Sequence, residues 1–174
     1  MDELTWQRSL PRKWMAAGVV IRDAEGRVLM VEPTYKDAWE IPGGVVELDE
    51  SPRAACRREL AEELGLPLEP GRLLCWEWQH AEADRTESMM FVYDGGLLPL
   101  DAVLRLPADE LSAYRFVPVD ELGEVTVERL ARRIRAALRA LELGTVIELE
   151  SGHASPLGPT RPAAEGAPSC ARGT

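Results

Sequence analysis

Apolar residues along this chain fall into short β-type runs interrupted by two stretches of helical spacing. Ala16 to Arg22 (AAGVVIR) is a β-branched run of the kind that forms a buried strand. Asp23-Ala24-Glu25-Gly26 is a turn signal, and Val28 to Val31 (VLMV) follows as a second strand, which predicts a hairpin. Lys36 to Trp39 leads into Glu40-Ile41-Pro42-Gly43-Gly44, a short edge piece and then a glycine loop. Pro42 has no N–H for a ladder, which places this piece at an edge or strand end. Arg72 to His80 (RLLCWEWQH) and Glu87 to Tyr93 (ESMMFVY) read as strands joined by the polar loop Ala81 to Thr86, the second ending at Asp94-Gly95-Gly96. Leu97 to Leu106 is open between strand and loop, Pro107 to Leu111 reads as one helical turn, and Tyr114 to Val119 as a late strand.

The first helix has clear punctuation. Ser51 can accept from an orphan backbone N–H, and Pro52 suits the first helical position. Arg53 to Leu64 contains neither Gly nor Pro, and Gly65 fits a left-handed helix end, so a helix is predicted over Ser51–Leu64. Thr126 to Leu143 is a second long helix, with Leu130, Ile134, Ala137, Leu138 and Leu141 at helical spacing. From Ser151 the chain is rich in Pro, Gly, Ala and Ser, which predicts a disordered tail over 151–174 behind one domain over 1–150. Strands on both sides of the first helix, closed by a second helix, imply a mixed sheet between helices.

The formal net charge is -10, which argues against an extended nucleic-acid surface, since that requires a basic stripe. It leaves a polyphosphate substrate open, because bound metal can bridge acidic side chains to phosphates. Cys56, Cys75 and Cys170 have no paired or metal-ligand spacing; the first two read as buried thiols and the third as exposed in the tail. The start, MDELTWQRSLPRKW, lacks an apolar signal core, and no run approaches a membrane span. A cytoplasmic location and no membrane partner are expected.

The chemistry concentrates on the first helix. Glu59, Glu62 and Glu63 lie three and four residues apart and so share one edge, where they repel unless a cation sits between them. Carboxylates are hard ligands suited to Mg2+ or Mn2+. Leu60 and Leu64 point the other way and can anchor the helix. Isolated, E-x-x-E-E reads as a solvated helix face.

The residues around it change that reading. Gly44, Glu50, Arg58-Glu59-Leu60, Glu62-Glu63, Gly65 and Leu66 form G-x5-E-x7-R-E-U-x-E-E-x-G-U, with U aliphatic, and Pro42-Gly43 precede it. This resembles the signature of the Nudix hydrolases, which cleave nucleoside diphosphates linked to a second group. The resemblance implies an α/β/α sandwich, a small nucleotide substrate, Mg2+ with Mn2+ as an alternative, and often a homodimer, which an N-terminal arm bearing Trp6 and Trp14 would suit. It implies that Glu59, Glu62 and Glu63 bind metal and that the Gly44 carbonyl adds a ligand. Arg58 is expected to pair with a box carboxylate such as Glu50 and fix the loop to the helix. Glu47 is either near the metals or a plain surface residue. A further acidic residue is expected before a late strand; Glu110 is the first candidate, with Glu82, Asp84 and Glu87 as alternatives. Trp39, Trp76 and Trp78 are candidates for base stacking, with core packing the simpler reading for each of the latter two; His80 and His153 have no ligand-like partners.

The expected reaction is metal-assisted attack of water on a diphosphate linkage of a nucleoside triphosphate, dinucleoside polyphosphate or nucleotide sugar. The extra motif of coenzyme A pyrophosphatases and the proline-bearing motif of many ADP-ribose pyrophosphatases are not found. The alternative class is a non-catalytic Nudix-like sensor of a nucleotide metabolite; a purely structural acidic domain is disfavoured by the carboxylate cluster.

Overall fold

Residues 17–21 are buried throughout, so strand β1 (Trp14–Arg22) needs cover on both faces. The computed structural model describes residues 1–83, 85–98 and 101–155. It supplies that cover with two helices. The remaining strands are β2 (Val28–Pro33), β3 (Gly43–Val45), β4 (Leu73–Gln79), β5 (Ser88–Leu97), β6 (Leu111–Val117), β7 (Ile147–Glu150) and β8 (His153–Ala154). Across the sheet they run β6, β2, β1, β5, β4, β7, β8, with β3 paired to β1. The pairs β1–β5 and β4–β7 are parallel and the others antiparallel, giving a mixed α/β sheet.

Helix α2 (Pro52–Leu64) covers one face, setting Ala55, Cys56, Leu60 and Leu64 on Ala17, Val19, Ile21, Leu29 and Val31. Ser51 Oγ accepts from the Ala54 N–H at 3.2 Å, and Gly65 ends the helix at φ 65°. Helix α4 (Glu128–Leu143) covers the other face with Leu130, Ala131, Ile134, Ala137 and Ala140 against Val20, Val28, Met30, Leu74 and Val92. Arg72 closes its far end, donating to the carbonyls of Ala140, Leu141 and Thr145. The sandwich therefore has two apolar cores, one on each side of the sheet.

Segment 40–45 is not an edge. The hairpin strands β1 and β2 pair only at Arg22 and Val28, then diverge. The segment fills the opening: Glu40 exchanges both backbone bonds with Val31 at 2.9 Å, Pro42 O accepts from the Val19 N–H at 2.9 Å, and β3 pairs with β1 from Ala16 to Gly18. Pro42 is tolerated because only its carbonyl is used. Gly43 has φ +144°, and a Cβ there would lie 2.3 Å from the Ala17 carbonyl oxygen, so no side chain fits.

Other expectations shift. The β5 strand continues through Asp94-Gly95-Gly96 to Leu97, because Gly95 lets β5 pass Ile21, where a Cβ would meet Cγ1 at 2.4 Å. Pro107 to Leu111 makes one helical turn, the Glu110 and Leu111 N–H groups both donating to the Pro107 carbonyl at 3.0 and 2.9 Å, and β6 starts earlier and ends earlier than Tyr114–Val119, stopping before Pro118. Residues 101–106 form no strand. Helix α1 (Glu3–Ser9) was not expected, since it buries no residue and so has no apolar stripe; Asp2 caps it. The short helix α3 (Leu122–Val125) precedes α4. Residues 151–155, read as the start of a disordered tail, instead make a turn and β8, tied down by Ser151 Oγ on His80 Nδ1 at 2.6 Å. The rest of that expected tail, including Cys170, lies outside the described residues. Cys56 and Cys75 are buried, and burial pushes both thiols up to about 12. Among the described residues no helix is long and apolar enough to cross a membrane.

Leu60 is fully buried under α2. Leu60→Ala is expected to lower unfolding free energy by about 2–5 kcal/mol in urea titration. Arg57→Ala, whose exposed pair with Glu69 contributes little, should leave the midpoint nearly unchanged; equal effects of the two would mean that α2 is not anchored by this core.

Candidate functional site

The outward edge of α2 faces the glycine loop. Gly44 has no side chain because Glu59 occupies the space: a Cβ there would lie 2.2 Å from Glu59 Oε1. One turn on, Glu63 Oε2 accepts the Gly43 N–H at 2.8 Å. Burial pushes the Glu63 carboxyl up to about 8; the nearby charges of Glu59, Glu110 and Glu40 add to this, and the Gly43 bond opposes it. Glu59 is also raised, by burial first, with Glu62 and Glu110 adding and Arg58 opposing.

Arg58 ties loop to helix. Its Nε and one terminal nitrogen hold Glu50 at 3.1 and 3.0 Å, the same nitrogen reaches the Val45 carbonyl at 3.1 Å, and the other binds Glu59 at 2.8 Å and Glu62 at 3.0 Å. This fork holds the Glu50 carboxyl below its usual range. Glu50 in turn accepts the Glu47 N–H at 3.1 Å.

A cavity of about 720 Å³ opens where β1 and β2 part. Gly43, Gly44, Glu40, Glu59 and Glu63 line one end, joined by Glu110 from the turn before β6. Of the residues singled out in the sequence, the fold thus brings Gly44, Glu59, Glu63 and Glu110 to one cavity. Glu50, Arg58 and Glu62 do not line it; Glu62 is turned outward onto Arg58 with its side chain 56 % exposed. Among the described residues no three His, Cys, Asp or Glu side chains converge enough to hold an ion alone. Glu59 and Glu63 on adjacent turns of α2, with backbone oxygen of the loop, form a set that suits an ion completing its shell with water and phosphate.

The other candidates are engaged elsewhere. Glu82 pairs with Arg85, Glu87 holds Lys13 and the Trp78 indole N–H, and Asp84 lies outside the described residues. Trp39 packs under the Arg115 guanidinium at 4.5 Å and does not line the cavity. His153 is exposed on β8.

The opposite wall was not anticipated. It is built by Gln79, Arg85, Arg129 and Arg133, with Trp14, Met90 and Phe91 between the two ends. The β4 strand turns Cys75, Glu77 and Gln79 inward, leaving Trp76 and Trp78 half-buried on the other face, the reverse of core tryptophans. Glu77 is fully buried and pairs with Arg133. The Gln79 amide, oriented by its neighbours, accepts from Arg133 at 2.5 Å and from Arg129 Nε at 2.9 Å, and donates to Ser88 Oγ at 3.3 Å. The signal lay in α4: Arg133 sits among Leu130, Ile134 and Ala137 on the apolar face, where an unpaired charge does not belong.

A MutT-like protein of Streptomyces ambofaciens is 46 % identical over 57 residues, 33 % of this chain and 36 % of that protein. An RNA pyrophosphohydrolase of Halorhodospira halophila is 45 % identical over 49 residues, 28 % of this chain and 27 % of that one. The chain thus spans about a third of the length of the curated relatives it matches. The crystal structure of a MutT NUDIX hydrolase from Burkholderia pseudomallei superposes with a TM-score of 0.61 at 25 % identity, over 75 % of this chain and 99 % of that one. The family model of the NUDIX domain matches residues 12–141, most of the chain and the whole Gly44–Leu66 box, and the chain belongs to that family.

Proposed function

We propose that this protein is a Mg2+-dependent hydrolase of the pyrophosphate linkage in a nucleoside diphosphate joined to another group. The observation that carries the proposal is the pair Glu59 and Glu63, packed against Gly43-Gly44 at one end of a nucleotide-sized cavity with their carboxyls raised by burial. The Gly44 cradle fits this reading, since only a residue without Cβ lets the Glu59 carboxylate and the loop backbone approach together. Family members generally use divalent metal ions, and the relatives' name, RNA pyrophosphohydrolase, specifies the same kind of bond.

We assign metal binding to Glu59 and Glu63, with Glu110 facing the same space; the expected Gly44 carbonyl is directed at Ala17 by the β1–β3 register instead. Glu62 would join them by leaving Arg58. A bound divalent cation would offset charge developing on the diphosphate and acidify a bound water. A carboxylate oxygen of the Glu59/Glu63 pair accepts the proton of the attacking water. Arg58 and Glu50 act by positioning, holding the loop at its distance from α2. With a net charge of -10, a free nucleotide in the cytoplasm is the proposed substrate rather than a nucleic-acid chain.

A panel of nucleoside triphosphates, dinucleoside polyphosphates and nucleotide sugars, assayed with Mg2+ for phosphate or nucleotide release, is expected to reveal turnover. Glu59→Gln and Glu63→Gln should each lower kcat by about 100-fold or more with an unchanged circular dichroism spectrum. Near-native kcat in both variants would sink the assignment, and no release from any substrate would favour the sensor reading.

Glu63 also makes a metal-free prediction. Its folded pKa of about 8 lies above the ordinary 4.5, so over that range the folded state keeps a proton the unfolded state releases. Stability therefore falls as pH rises from about 5 to about 8. In chelator, the urea midpoint of Glu63→Gln should exceed that of the natural protein at pH 8 and converge with it near pH 4; a pH-independent difference would show that Glu63 is not buried in this way.

A further inference from the structure

The arginine end of the cavity contains a guanidinium that, among the described residues, no carboxylate touches. Arg133 has Glu77 and Arg85 has Glu82. Arg129, on the first turn of α4, is half-buried, and among the described residues no carboxylate lies within 4.0 Å of it. Its Nε is spent on the Gln79 amide at 2.9 Å, and among the described residues its two terminal nitrogens have no hydrogen-bond partner. Burial first, then the charges of Arg85 and Arg133, lower its pKa, against the smaller opposing attraction of Glu77 and Glu82. Gln79 orients this guanidinium without neutralising it.

The orientation is built from within. Glu77 fixes Arg133, Arg133 and Ser88 fix Gln79, and Gln79 fixes Arg129. The α4 N-terminus adds partial positive charge, since Val127 caps it with no side-chain hydrogen bond and Leu130 lines the same wall. A guanidinium with both terminal nitrogens open offers a fork matched to phosphate. The cavity, about 720 Å³, is large enough for one ligand to span both ends.

We propose that Arg129 forms a subsite for a further phosphate of the substrate, beyond the diphosphate held at the Glu59/Glu63 end. This rests on the reaction proposed above and narrows its substrate class. Nucleotides carrying an additional phosphate, such as nucleoside triphosphates or dinucleoside polyphosphates, are preferred over nucleotide sugars, whose neutral end offers the open Arg129 nitrogens no anion.

Two measurements test this. In chelator, the protein is titrated with inorganic phosphate and the arginine Nε–H signals are followed by NMR. A saturable shift of the Arg129 signal, identified by its loss in Arg129→Gln, is expected; no saturable shift overturns the proposal. With Mg2+, UTP and UDP-glucose share a nucleoside diphosphate and differ in the group attached to it. Arg129→Gln should raise KM for UTP by about 10-fold or more and leave UDP-glucose within about twofold. Equal loss on both substrates, as from simple misfolding, overturns the subsite. If the natural protein hydrolyses neither compound, the proposed reaction fails on those substrates and the phosphate titration alone decides the subsite.

Discussion

One stretch of backbone, Glu40 to Val45, has to hydrogen-bond two strands that have already separated. Its bonds to Val31 on one side and to Val19 and Ala16–Gly18 on the other hold the sheet together across the gap. The same bonds fix the Gly43 N–H over Glu63 and Gly44 against Glu59. The gap becomes the cavity, and the segment bridging it becomes one of its walls. A side chain at Gly43 would break the bridge before it touched any ligand.

Where the sequence was legible, one element decided the outcome. Ser51-Pro52 and Gly65 mark both ends of α2 through local backbone chemistry, and the three glutamates follow from helical spacing. The Arg58–Glu50 bond was legible from the box because both partners lie within it. Glu62 was harder, since its rotamer answers to Arg58 and not to helical spacing. The arginine wall joins β4 to α4 across more than 50 residues, and no local pattern encodes that contact. In β4 the tryptophans looked like the inward set on hydrophobicity alone. Glu77 and Gln79 take that place instead, paired with Arg133 from α4, a partner that the local pattern of β4 does not reveal.

The buried Glu77–Arg133 pair adds little net stability by itself, because desolvation offsets most of the attraction. Its value is geometric. It excludes other arrangements of α4 against β4 and so sets the direction of Gln79 and Arg129. Charge is thereby sorted along the cavity, with carboxylates at the β3–α2 end and guanidinium groups at the α4 end. A ligand entering it meets a field with a direction.

The two cores on opposite faces of the sheet carry a consequence for how such a protein can change. The carboxylate edge is mounted on α2 and its core, and the arginine wall on α4 and the other core. Packing changes under one helix reach the other only through the sheet, so substitutions on the two sides should combine nearly additively. Under the proposed reading, selection can redraw what is bound by altering α4 and β4 while the α2 edge stays intact. The fold thus mounts the carboxylate edge and the arginine wall on separately packed halves.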